Sequence, residues 1–219
     1  MPVHASPWTT GRLTLTRLET FLVGAVAATL LAVVAIVVVT LSGTQASAHT
    51  APVAAVEYTA AEHLADLRAR EAAAGDPTLA GDTCEEIVAA VVIPRDWTIG
   101  CLDHIGGGQP GVVGQASGDS KIILIERLRA PALLRYTATH EAGHAWALAI
   151  LDDTAKADLI TQVGGDTWAA TDLDEGYGTS VSESFANAFA MCRGSGSHAD
   201  LIPMGCDVMD AALTAAATR

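Results

Sequence analysis

The sequence predicts a small α+β domain held outside the membrane behind one spanning helix. Three observations carry this. Residues 21–41 form a stretch of 21 residues without a charge. As a helix that stretch is about 31 Å long, enough to cross the hydrocarbon core of a bilayer. Between residues 91 and 126, short β-branched segments alternate with turn residues, and from residue 132 onward helix formers dominate. A few strands followed mostly by helices is the pattern of an α+β fold.

Taken in order, residues 1–20 read as a cytoplasmic tail, because Arg12 and Arg17 precede the apolar stretch and basic residues stay inside. Residues 21–41 read as the transmembrane helix. The alternative is a signal h-region cleaved after Ala48, where Ala46-Ser47-Ala48 has the small-x-small form, which would give a secreted protein. A typical h-region is only about 7 to 15 residues long, so the length favours an anchor. Residues 42–81 read as a tether rich in Ser, Thr, Ala and Pro, followed by a helix over 60–74 that serves as a stalk or as an outer helix of the domain.

The domain proper is expected over 82–219. A short helix over 84–90 has Asp82 or Thr83 to cap it. Residues 91–93 and 97–102 have strand character, and 112–116 and 121–126 suit a hairpin across Ser117-Gly118-Asp119-Ser120. The loop 106–111 formally contains GxGxxG. No helix follows it and Pro110 interrupts it, so it is not read as a phosphate cradle. Helices are expected over 132–151, 155–163, 181–192 and 206–217. The sheet is expected to be mostly antiparallel.

Charge and cysteine content narrow the function. Beyond residue 48 there are 10 Lys and Arg against 24 Asp and Glu. Nucleic acid and anionic lipid both require basic surface, so neither is an expected ligand. All four cysteines lie on the exported side, where an even number favours two disulfides. Sequence alone allows three pairings. The nearest-neighbour set, Cys84–Cys101 and Cys192–Cys206, is expected, and the absence of any CxxC spacing argues against a cysteine zinc site.

The chemistry is concentrated at His140-Glu141-Ala142-Gly143-His144, an HExxH sequence inside the long expected helix. Residues four apart share a helix face, so both imidazoles can reach one metal ion. Zinc suits these ligands, and a catalytic zinc takes three protein ligands and leaves a position for water. Glu141 directly follows the first ligand, where it can act as general base and then general acid in peptide hydrolysis. Gly at 147 and His at 150 would extend the pattern to that of the metzincins. Ala147 and Ile150 stand there instead. Two acidic candidates for the third ligand remain downstream, and Glu183 in Ser182-Glu183-Ser184-Phe185-Ala186-Asn187 is favoured over Asp174.

With His140, Glu141 and His144, and a Glu opening a later helix of small residues, the chain resembles the gluzincins, the thermolysin-like zincins, in their small single-domain form. The resemblance spans roughly residues 82–192 and implies a minimal zincin-like fold. It also implies zinc held by His140, His144 and Glu183, catalysis by Glu141, and a peptide or protein substrate. In that family a carboxylate four residues after the Glu ligand orients a histidine; Asn187 stands there in this chain. The family also has an edge strand that pairs with extended substrate, for which 121–126 is the expected segment. Asp174-Glu175-Gly176-Tyr177-Gly178 partly resembles the DxxYG of the aspzincins. Under either scheme Tyr177 is a candidate donor to the developing oxyanion.

Trp146 is expected in the core, and His49, His63, His104 and His198 on the surface or in loops. Gly143, costly inside a helix, implies a close approach by a neighbouring element. The expected whole is a membrane-anchored extracytoplasmic zinc peptidase. The alternative is a zinc-binding receptor or structural envelope protein on the same scaffold, without catalysis.

Overall fold

In the computed structural model, which describes residues 56–74, 81–105, 112–169, 179–197 and 201–219, six helices and three strands follow one another. They are α1 (Ala60–Ala74), α2 (Cys84–Ala90), β1 (Thr98–Leu102), β2 (Gly114–Ser117), β3 (Ile122–Glu126), α3 (Pro131–Ile150), α4 (Asp153–Val163), α5 (Val181–Cys192) and α6 (Cys206–Ala217). Local chemistry sets several boundaries. Thr83 and Glu86 form a reciprocal capping box at the start of α2. Pro131 opens α3, where its missing N–H costs nothing. Asp152 caps α4 by accepting the Ala155 N–H at 2.7 Å, and Gly164, at φ 75°, ends that helix in the left-handed region.

The sheet differs from the expected one in two ways. Its strand order is β1-β3-β2, with β1 parallel and β2 antiparallel to β3, so it is mixed rather than mostly antiparallel. The hairpin forms as expected, but β2 lies on the outside and β3 is inserted beside β1. Two reversals of direction leave β1 and β3 parallel. The 121–126 segment is therefore the central strand and not a free edge. It starts at Ile122 because Lys121 sits at φ 53°, outside the range of an extended strand.

The 91–93 segment forms no strand. Two of its carbonyls are taken by side chains instead: Trp146 Nε1–H donates to Val92 O at 2.9 Å, and Arg70 to Ile93 O at 3.2 Å. With those acceptors satisfied, the segment has no need of a sheet neighbour.

Helix α3 runs between two hydrophobic cores, and twelve of its residues are buried, among them the polar Thr137, Thr139, His140 and Glu141. Leu134, Ala138 and Ala145 face Ile87, Trp97, Ile123 and Ile125 on the sheet side. Ala142, Trp146 and Ile150 face Phe185, Phe189, Leu159 and Leu213 on the helical side. Leu64 and Leu67 of α1 belong to that second core, and the compact unit begins at Val56 rather than near Asp82. Of its two expected roles, α1 takes that of an outer helix of the domain.

The two expected disulfides are present, Cys84–Cys101 between α2 and β1 and Cys192–Cys206 between α5 and α6. Among the described residues no helix is long and apolar enough to cross a membrane. The expected span 21–41 and the cleavage site at Ala48 lie outside those residues.

Candidate metal centre

His140 and His144 lie one turn apart on α3, with ring centroids 4.9 Å apart and planes at 82°. Glu183, in the first turn of α5, reaches both: its Oε2 is 3.0 Å from His140 Nε2 and its Oε1 is 3.3 Å from His144 Nε2. A helix N-terminus favours a negative charge, which suits a carboxylate there. The three ligand atoms lie within 4.8 Å of one another, so this group is able to hold a metal ion. The two separations to Glu183, 3.0 and 3.3 Å, are close to the roughly 3.3 Å that ligand bonds of about 2.0 to 2.1 Å set between neighbouring ligand atoms of a tetrahedral site.

Two close contacts build this geometry. A Cβ on Gly143 would meet Ala186 Cα at 2.8 Å and Phe189 Cβ at 2.9 Å, so α3 and α5 touch backbone to backbone as its position inside a helix implied. That contact brings Glu183 down to the histidines. On the other side, a Cβ on Gly114 would meet Thr137 Cγ2 at 2.5 Å and Glu141 Oε1 at 2.6 Å. Edge strand β2 is thereby pressed onto the face of α3 that carries Glu141.

The carboxylates differ sharply in their surroundings. Glu141 is buried, and burial pushes its pKa up to about 7. Nearby His144 and a hydrogen bond from the Ala116 N–H oppose that rise, and the Glu183 charge adds to it. For Glu183 burial also acts upward. Hydrogen bonds and charge from His140 and His144 outweigh it and hold the carboxyl well below the ordinary range. Burial acts against a charge on His144, yet the same carboxylate raises its pKa overall, with Glu141 contributing. Two acidic side chains near one another are thus driven apart, one to stay ionised and one to carry a proton near neutral pH.

Tyr136, not singled out in the sequence, completes the arrangement. Its Oη lies 3.3 Å from His140 Nδ1 and donates to Asn187 Oδ1 at 3.2 Å. Burial, followed by the charges of Glu183 and Glu141, pushes the phenol up to about 12, so it stays protonated. Its position four residues before His140, on the same helix face, was the available signal.

Trp146 is fully buried, as expected. His63 is not on the surface: it is 5 % exposed, because it faces Trp146 from α1. His104 is exposed, 3.7 Å from Glu126. Tyr177, the rival ligand Asp174, His49 and His198 lie outside the described residues. No family model, curated protein or solved structure matches this chain, so what it does has to be read from the chemistry of these side chains.

Proposed function

We propose that the chain is a zinc-dependent peptidase, membrane-anchored and acting outside the cytoplasm, of the gluzincin type its motif resembles. The observation that carries this reading is the convergence of His140, His144 and Glu183 on one point, beside buried Glu141. Two imidazoles and a carboxylate form a donor set suited to catalytic zinc. Zinc in such a site polarises a carbonyl and makes water nucleophilic near neutral pH.

The protein's own part begins with Glu141. A carboxylate whose affinity for a proton lies near neutrality can take one from the attacking water and return it to the leaving nitrogen. The Ala116 N–H steadies it through the transfer. Strand β2 suits substrate binding better than the central β3. Val113 O, outside the strand, bonds Glu126 N in β3, so by antiparallel alternation Gly114 and Ala116 turn their backbone groups away from the sheet. An extended peptide could add to that edge through groups other than the Ala116 N–H, which Glu141 accepts. Two disulfides support export, and the 21–41 segment supports an anchor.

Glu141→Gln tests the reading, because it keeps the shape of the side chain and removes the base. The full chain in detergent is expected to bind one zinc and to cleave a mixed peptide library in a chelator-sensitive manner. The variant should keep the zinc and lose about 10²- to 10⁴-fold in rate. An unchanged rate with zinc bound would remove Glu141 from the mechanism. Wild-type protein that holds zinc yet cleaves nothing would be a binding module. Wild-type protein without metal after expression in zinc-sufficient medium would end the metal reading.

A further inference from the structure

We propose that Tyr136 is the positioning residue of His140, fixing the imidazole in the tautomer that presents Nε2 as a ligand; this rests on the reading of His140 as a zinc ligand. The argument begins from which atoms can donate. An amide oxygen only accepts, so the Tyr136 hydroxyl proton is committed to Asn187 Oδ1 at 3.2 Å. The phenol oxygen then offers lone pairs to His140 Nδ1, 3.3 Å away. That contact is a hydrogen bond only if Nδ1 carries the proton. Without a metal ion an Nε2–H donates to the Glu183 carboxylate; as a ligand the neutral imidazole would keep its one N–H at Nδ1 and present the Nε2 lone pair. Nε2 is the nitrogen that faces Glu183 at 3.0 Å, where the ligand atoms converge.

The direction of the relay is what matters. It runs from Nδ1–H to the phenol and from the phenol to the amide, each donor donating once. Reversed, with the Asn187 NH₂ donating to the phenol and the phenol to Nδ1, it would put the proton on Nε2 and spoil the ligand. The ring itself is restrained as well, since the Tyr136 and His140 centroids lie 5.5 Å apart on successive turns of α3. Partners of this kind orient ligating histidines and raise their basicity. Two neutral groups perform this task here. They orient the imidazole as a carboxylate would, without placing another anion beside Glu141 and Glu183.

Tyr136→Phe removes the hydroxyl and keeps the ring. In the full chain in detergent, chelator competition should show zinc affinity weakened by about 10- to 100-fold. Asn187→Leu should lower it in the same direction, whereas Asn187→Asp, which keeps an acceptor, should not. Ring-¹⁵N spectra of the zinc-loaded wild type should show His140 ligated through Nε2 with a protonated Nδ1, and Tyr136→Phe should speed exchange of that proton. A role confined to packing would leave the tautomer and proton exchange unmoved.

Equal zinc affinity in wild type and Tyr136→Phe, or ligation through Nδ1, overturns the assignment of Tyr136 and leaves the metal centre standing. A wild type that binds no zinc overturns both. If Tyr136→Phe does not fold, the wild-type spectrum and the Asn187 pair still decide the matter.

Discussion

His63 is 5 % exposed on α1, edge-on to Trp146 with centroids 6.2 Å apart and tilted against Tyr58 at 5.4 Å. Burial lowers its pKa from the ordinary 6.5, and Lys121 acts the same way. The carboxylates of Asp96, Asp66 and Glu62 pull against this without reversing it. In the unfolded chain the imidazole takes up a proton near pH 6.5, whereas in the folded chain it does so only at lower pH. The unfolded state therefore binds more protons in that window. The contribution of His63 to stability is fully present above pH 6.5 and is lost as the pH falls through the folded value. The urea midpoint of the wild type is expected to drop between pH 7.5 and pH 5.5, and that of His63→Phe to drop less, both measured with saturating zinc. Acid sensitivity arising elsewhere appears in both proteins, so identical drops would clear His63 of the effect. This burial was not legible in the sequence, and of Tyr136 only its spacing from His140 was, not its contact with Asn187. Both depend on what α1 and α5 bring against α3, and a string of residues shows spacing within a helix but not the surface it meets. The HExxH face was legible because both histidines and Glu141 sit on one helix, and Glu183 because a carboxylate on a second rigid helix was needed.

At the scale of elements, the crossing of α3 and α5 decides whether His140, His144 and Glu183 meet. Gly143→Ala would gain about 1 kcal/mol of helix propensity if the position were free. It is not, since the new methyl would stand 2.8 Å from Ala186 Cα and 2.9 Å from Phe189 Cβ, and backbone cannot rotate aside as a side chain can. Overpacking typically costs about 1 to 3 kcal/mol, which cancels or exceeds the gain. The variant is expected to unfold at lower urea than wild type, and its zinc affinity should fall as well because α5 carries Glu183 away. A more stable variant with unchanged affinity would show that the helices can part at no cost. The helices themselves were largely readable, with Val181–Cys192 and Cys206–Ala217 found at the expected ends. Helical periodicity and disulfide spacing are local signals. The order of the strands was not readable, because it depends on which side of β3 the hairpin folds back. The failure of 91–93 to become a strand has a similar origin: its carbonyl partners, Trp146 and Arg70, come from helices far along the chain.

Across the whole domain, α3 divides the work between two cores, and each core has one disulfide. Cys84–Cys101 closes a separation of 17 residues on the sheet side, with Cys84 buried in that core. Cys192–Cys206 closes 14 residues on the helical side, joining the end of α5 to the start of α6. Loops of this length make each bond worth about 3 kcal/mol, so stability alone should not tell them apart. Function should. The helical side supplies Glu183, and the sheet side supplies the Ala116 N–H that steadies Glu141. Replacing Cys192 and Cys206 with Ala frees the far end of the helix that carries the proposed ligand Glu183, so zinc affinity should fall more than the rate at saturating zinc. Replacing Cys84 and Cys101 with Ala loosens β1 and, through β3, the edge strand against which Glu141 rests. There kcat at saturating zinc should fall more than zinc affinity. Chelator competition and steady-state rates on the two double variants separate these outcomes. If both variants lose affinity and rate in the same proportion, the two cores act as one stiff body, and α3 does not partition metal binding from proton transfer.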